Sequence, residues 1–73
     1  MEKYAITFHS TKQMKDFVSW AVKIPYNMDA TIGSVTVDAK SLLGLTGLGL
    51  EKEFLLVIYG ELSDKDKSYI QQY

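Results

Sequence analysis

His9 is the only histidine in this chain of 73 residues, and the polar run Ser10-Thr11-Lys12-Gln13 follows it directly. An imidazole can act as a base or offer a nucleophilic ring nitrogen near neutral pH. Lys12 can bring positive charge to an anion, although an ammonium on a flexible stem does not replace the planar fork of an arginine. His9, Ser10 and Lys12 therefore form one candidate site, whose chemistry would be directed at an anion.

Ser41 is the second candidate, because it stands where an extended segment turns into a short apolar helix. The first N–H groups of a helix lack internal partners and carry the positive end of its dipole. A hydroxyl at this position can cap the helix and, once phosphorylated, would place an anion at its start. Ser41 is thus predicted to be a cap and is a candidate switch.

Apolar side chains near these positions have two interpretations, as core or as a surface for a partner. In a chain this small most large apolar residues must be buried, so only one or two are expected to be exposed enough to bind anything. The residues concerned are Trp20, Leu42, Leu43, Leu45 and Leu48.

Composition excludes several classes of function. Without cysteine, and with one histidine among scattered acids, the chain shows no metal-ligand spacing and implies no cofactor. Eight basic residues, all lysine, against nine acids argue against nucleic acid as a partner. No catalytic motif pairs a nucleophile with His9, so an independent enzyme is not expected.

The same features predict a single domain, residues 1–73, in the cytoplasm. The longest apolar run, residues 54–59, is much shorter than the roughly 20 residues that a membrane span needs. Membrane insertion is therefore not expected, and the alternating pattern at the start of the chain does not resemble a secretory signal.

The first half of the chain predicts a strand, a helix and a hairpin. Alternating apolar residues indicate a strand over residues 3–8, and Ser10 with Gln13 can form a capping box at the start of a helix of about four turns. Pro25 ends that helix. Gly33-Ser34 between two β-prone runs predicts a hairpin with a type II′ turn. The apolar stripe of the helix consists of Met14, Phe17, Val18 and Ala21.

The second half predicts a short helix over residues 39–45, a central strand over residues 54–59 and a last helix capped by Ser63. The resulting order is β-α-β-β-α-β-α. Such an order suits an α+β domain of two layers, with an antiparallel sheet covered by helices on one face.

This order and several segments resemble HPr, the histidine-containing phosphocarrier of the bacterial phosphoenolpyruvate-dependent sugar phosphotransferase system. In length and element order the resemblance covers nearly the whole chain, but its distinctive residues lie in the second half. They are Val37-Asp38-Ala39-Lys40-Ser41-Leu42-Leu43-Gly44-Leu45, Leu48-Gly49-Leu50 and Tyr59-Gly60-Glu61.

The resemblance implies an HPr-like open-faced sandwich, with a four-stranded antiparallel sheet and three helices on one face. It also implies partners within the phosphotransferase system or the carbon regulation linked to it. Ser41 would correspond to the serine that a dedicated kinase phosphorylates in some bacteria, and Leu42, Leu43, Leu45 and Leu48 to residues that dock onto partners.

The chain departs from the family at the first helix, where carriers read Gly, an aliphatic residue, His, Ala, Arg, Pro, Ala. An alignment without gaps places Ser10 on the histidine position and His9 one residue earlier, and both the arginine and the proline are missing. The leading hypothesis is therefore a degenerate, non-catalytic docking or regulatory protein. Two alternatives stay open: an active carrier that uses His9, and a ferredoxin-like ligand-binding or dimerising module, whose sheet would place the first and third strands in the middle.

Overall fold

The computed structural model describes all 73 residues and has the predicted order of elements. The strands are β1 (Glu2–Thr7), β2 (Met28–Ile32), β3 (Val35–Asp38) and β4 (Glu53–Ile58), and the helices are α1 (Thr11–Ala21), α2 (Leu42–Leu48) and α3 (Asp64–Ile70). The predicted α+β class is confirmed.

The strands form one antiparallel sheet in the order β1-β4-β2-β3. Strand β4 has a central place in this sheet, and its Phe54, Leu56 and Ile58 are buried. Since β1 and β3 lie at the two edges, the ferredoxin-like alternative is wrong.

One face of the sheet supplies the core, and the other stays open. On the open face Lys3 and Ala5 of β1 are exposed, and Leu55 of β4 is 39% exposed. The helices pack on the opposite face through residues buried at helical spacing. These are Met14, Phe17 and Ala21 of α1, Leu45 and Leu48 of α2, and Ile70 of α3.

Helix α1 is shorter than the predicted four turns. It ends at Ala21, and the N–H groups of Lys23 and Ile24 then donate to carbonyls three residues back, those of Trp20 and Ala21. The last turn is therefore of the tighter 3₁₀ type, which closes the helix before Pro25.

Helix α2 begins three residues later than predicted and also ends later. The carboxylate of Asp38 accepts the Lys40 N–H at 2.9 Å, and its carbonyl accepts the Ser41 N–H at 3.1 Å. This turn holds Ala39 and Lys40 out of the helix, because aspartate side chains compete for nearby backbone donors. Ser41 becomes the N-cap, as predicted.

The hairpin between β2 and β3 has the predicted two-residue loop. Ile32 pairs with Val35, and Gly33 has a φ of +57° while Ser34 stays outside the positive region. A positive φ at the first loop position alone is the requirement of a type II′ turn.

Candidate functional site

The junction between β1 and α1 is held by two reciprocal hydrogen bonds. Ser10 is the N-cap, and its Oγ accepts the Gln13 N–H at 3.1 Å. The Gln13 side chain reaches back to the His9 N–H at 2.7 Å, one residue before the cap, where the standard capping box would use the N–H of the cap itself. The donors at this helix start are therefore partly satisfied by the chain's own side chains.

The His9 ring lies at the surface beside Glu51, with 61% of its side chain exposed. Its Nδ1 is 3.1 Å from both carboxylate oxygens of Glu51. The Glu51 N–H donates to the Phe8 carbonyl at 2.8 Å, so backbone and side chain of Glu51 both bind this junction. Glu51 has a φ of +63°, the only positive φ at a residue other than glycine.

Glu51 is the residue of this site that the sequence did not reveal. It lies 42 positions from His9 in the chain. No local pattern of spacing or charge indicates such a contact, since it arises only when the segment before β4 crosses the end of β1.

Lys12 does not reach the imidazole. Its Nζ binds the Asp16 carboxylate at 2.8 Å, a helical i,i+4 pair whose hydrogen bond and charge raise the pKa of Lys12. Within hydrogen-bond and ion-pair distances, the only charged group at the His9 ring is thus the carboxylate of Glu51. The one charge in contact with the ring is therefore negative.

Ser41 lies at the other end of the sheet from His9. It follows β3, and the last residue of β3, Asp38, pairs with Asp29 at one end of the sheet. Thr7, two residues before His9, pairs with Glu53 at the opposite end. The Oγ of Ser41 accepts the Gly44 N–H at 3.1 Å, as an N-cap does. The structure therefore gives two separate candidate positions, at the two ends of the helical layer.

The four predicted docking leucines divide between surface and core. Leu43 is 84% exposed and Leu42 is half-buried, whereas Leu45 and Leu48 are 1% and 8% exposed. The assignment of Leu45 and Leu48 to a partner surface is corrected, because their face of α2 packs into the core.

Trp20 is occupied within the fold. Its ring stacks on Tyr69 with centroids 4.9 Å apart, and its Nε1–H donates to the Asp66 carboxylate at 3.0 Å. These contacts join α1 to α3 and leave the indole only partly accessible. Its structural role is thereby explained, and a role in partner binding stays a prediction.

The largest cavity is a cleft of about 420 Å³ at the sheet end opposite His9. Its walls include Asp29 and Asp38, which face each other across β2 and β3, and Tyr59, whose hydroxyl donates to Asp29 at 2.8 Å.

Neither here nor elsewhere do three histidine, aspartate or glutamate side chains form a group that could hold a metal ion. None of the three helices combines the length and apolar character needed to cross a membrane.

Comparison with known proteins identifies the fold. No family model and no curated protein matches the sequence. Among solved structures, HPr-C-His from Thermoanaerobacter tengcongensis aligns with a TM-score of 0.78 at 19% identity, over 99% of this chain and 89% of that one. The histidine-containing phosphocarrier protein of Mycoplasma aligns with a TM-score of 0.74 at 14% identity, over 97% of this chain and 89% of that one. Over nearly its whole length, this chain therefore has the open-faced α+β fold of HPr.

Proposed function

We propose that this protein is an HPr-like docking or regulatory protein of the sugar phosphotransferase system, or of the carbon regulation linked to it, acting in the cytoplasm. The likeness of the fold to HPr supports the choice of system. One observation supports the proposed loss of carrier function. Ser10 caps α1, and the imidazole of His9, one residue earlier, is bound by the carboxylate of Glu51.

Charge explains why Nδ1 of this ring suits a phosphate poorly. A phosphorylated imidazole is stabilised by cations and free N–H groups, and arginine serves best because it binds phosphate bidentately. Here a phosphoryl group on Nδ1 would meet the carboxylate that now lies 3.1 Å from that atom. The chain has no arginine, and Lys12 is paired with Asp16. Like charge would raise the free energy of the state phosphorylated on Nδ1.

The proposed docking surface extends from Ser10 and Lys12, at one end of the helical layer, to Ser41, Leu42 and Leu43 at the other. Leu43 is expected to be its main apolar contact, because a leucine side chain that is 84% exposed is the most accessible apolar group of the helical layer. Helices α1 and α2 lie side by side, with the Thr46 hydroxyl 3.5 Å from the Met14 sulfur. A partner that covers α2 can therefore also reach the start of α1.

Calorimetric titration with the general phosphotransferase enzyme, the one that takes phosphate from phosphoenolpyruvate, tests this surface. Wild type is expected to bind, and Leu43→Glu to weaken binding by about tenfold or more, as loss of a main apolar contact does. Leu55→Glu is the matched control, since Leu55 is an exposed leucine on the open face of the sheet. Equal affinity of Leu43→Glu and wild type would contradict the proposed surface.

Ser41 is the proposed site of regulatory phosphorylation by a serine kinase. The added phosphate carries close to two negative charges, and the start of α2 tolerates them because helix N-termini favour anions. The test is incubation with the serine kinase of HPr and ATP. Label is expected to be lost in Ser41→Ala and kept in Ser63→Ala, which removes the equivalent cap of α3. Label that survives in Ser41→Ala would refute this assignment.

Phosphoryl transfer through His9 is the second candidate function. The exposure of the ring at the β1–α1 junction favours it, because an incoming donor can reach the imidazole without any rearrangement of the fold. Transfer from phosphoenolpyruvate through the general enzyme distinguishes the two functions.

A further inference from the structure

The contact between His9 and Glu51 determines which ring nitrogen is free. A neutral imidazole carries one proton and one lone pair, and a carboxylate can only accept a hydrogen bond. Because both carboxylate oxygens lie 3.1 Å from Nδ1, the proton of the neutral ring belongs on Nδ1. Nε2 then keeps its lone pair, and it has no hydrogen-bond partner in the protein.

Both partners of this contact are anchored through the backbone. The Glu51 N–H donates to the Phe8 carbonyl at 2.8 Å, and the His9 N–H donates to the Gln13 side chain at 2.7 Å. Glu51 itself has a left-handed backbone, with a φ of +63°. Such anchoring limits the conformations that an exposed pair would otherwise sample.

We propose that Glu51 is a positioning residue that makes Nε2 of His9 the nucleophilic atom of this junction and a site of modification by phosphoryl electrophiles. Carboxylates fix the tautomer of a ligating histidine in the same way in metal sites. The proposal concerns the chemistry of the ring and does not depend on recognition by any phosphotransferase protein.

Phosphoramidate is a suitable small electrophile for this ring. The lone pair of Nε2 attacks the phosphorus of phosphoramidate whose nitrogen is protonated. The bond between phosphorus and nitrogen breaks, and its electron pair leaves with neutral ammonia. The proton stays on Nδ1, so the phosphorylated ring is cationic. Glu51 balances that positive charge, whereas a phosphoryl group on Nδ1 would displace the proton that Glu51 binds.

Nitrogen NMR of the uniformly ¹⁵N-labelled protein, at a mildly alkaline pH, tests the tautomer of the neutral ring. Wild type is expected to show a protonated Nδ1 and an unprotonated Nε2. Glu51→Ala should shift the proton toward Nε2, and Glu53→Ala, which removes a nearby exposed carboxylate, should leave the wild-type pattern. A wild-type ring protonated on Nε2, or an unchanged pattern in Glu51→Ala, would overturn the proposal.

Reaction with phosphoramidate, followed by phosphorus NMR, tests the nucleophile. The product of wild type is expected to be the Nε2 isomer, and Glu51→Ala should gain the Nδ1 isomer because that nitrogen becomes accessible. His9→Ala should remain unlabelled. The same proportion of isomers in wild type and Glu51→Ala would contradict the role of Glu51.

Glu51→Gln provides a second variant, which keeps the backbone hydrogen bond from position 51 to the Phe8 carbonyl. Its amide oxygen can still accept from Nδ1, so the tautomer should be kept, while the loss of negative charge should slow phosphorylation of Nε2. An amide proton spectrum of each variant verifies the fold. Since no phosphotransferase enzyme takes part, failure of this labelling would leave the docking proposal standing, and failure of docking would leave this one standing.

Discussion

The ring of Tyr26 lies against Gly60 so closely that a Cβ at position 60 would come within 2.3 Å of two ring carbons. The backbone reinforces this contact, because the Tyr59 N–H donates to the Asn27 carbonyl at 3.0 Å. The connector after α1 is thus packed against the end of β4. Glycine at position 60 ends the strand and also makes room for an aromatic ring.

Gly60→Ala is expected to destabilise the protein by about 1–3 kcal/mol, because the methyl group would force Tyr26 out of its place. Gly47→Ala is the control: a Cβ there has no atom within 4 Å, and the residue lies inside α2. That substitution should stabilise the protein by about 0.5–1 kcal/mol through the lower entropy of the unfolded chain. Urea unfolding measures both, and equal stability of Gly60→Ala and wild type would contradict the packing described.

Truncation of two leucines of α2 should have very different effects on the free energy of unfolding. Leu45→Ala is expected to cost about 2–5 kcal/mol, because it leaves a cavity at a side chain that is 1% exposed. Leu43→Ala should change the free energy of unfolding by less than about 0.5 kcal/mol, since that side chain is 84% exposed. Thermal unfolding followed by circular dichroism gives both values. A large loss in Leu43→Ala would assign Leu43 to the core and remove it from the docking surface.

Acid should weaken the fold in part through Glu2. Its carboxylate accepts hydrogen bonds from the Tyr4 hydroxyl and the Leu62 N–H, and Lys67 adds attraction, so the pKa of Glu2 lies below its ordinary value of 4.5. A lowered pKa in the folded state contributes stability above pH 4.5 that is lost as pH falls through the folded value.

Glu2→Gln should therefore be less stable than wild type at neutral pH, and the difference should shrink at about pH 3. Glu61→Gln, at an exposed position, should follow wild type at both pH values. Urea midpoints at the two pH values provide the measurement. A difference between Glu2→Gln and wild type that stays constant with pH would exclude this linkage.

The cap at Ser41 can be tested separately from its phosphorylation. Ser41→Ala should cost about 1 kcal/mol, because the Gly44 N–H loses its partner. Ser41→Asp should recover most of that stability, since aspartate is a good N-cap and adds negative charge at a helix start. If the aspartate variant unfolds as early as the alanine variant, the start of α2 does not tolerate an anion.

Much of the fold could be predicted because its signals are local. The apolar run of β4 indicated a central strand, and the spacing of Met14, Phe17 and Ala21 identified the buried face of α1. Ser10, Ser41 and Ser63 all cap helices as predicted. Each of these features depends on residues within a few positions of one another.

The site was less predictable because its contacts join distant parts of the chain. The pairing of His9 with Glu51 spans 42 positions, and that of Trp20 with Asp66 spans 46. The turn at Asp38 determines the residue at which α2 begins, and this start determines which leucines of the helix are buried. Neither composition nor periodicity records such relationships.

The most direct test of the central claim is transfer of phosphate from phosphoenolpyruvate through the general phosphotransferase enzyme, with an HPr that carries the standard motif as positive control. The 73-residue protein is expected to gain no more acid-labile phosphate than His9→Ala does. Acid-labile phosphate that forms in wild type and disappears in His9→Ala would contradict this expectation and establish His9 as a carrier.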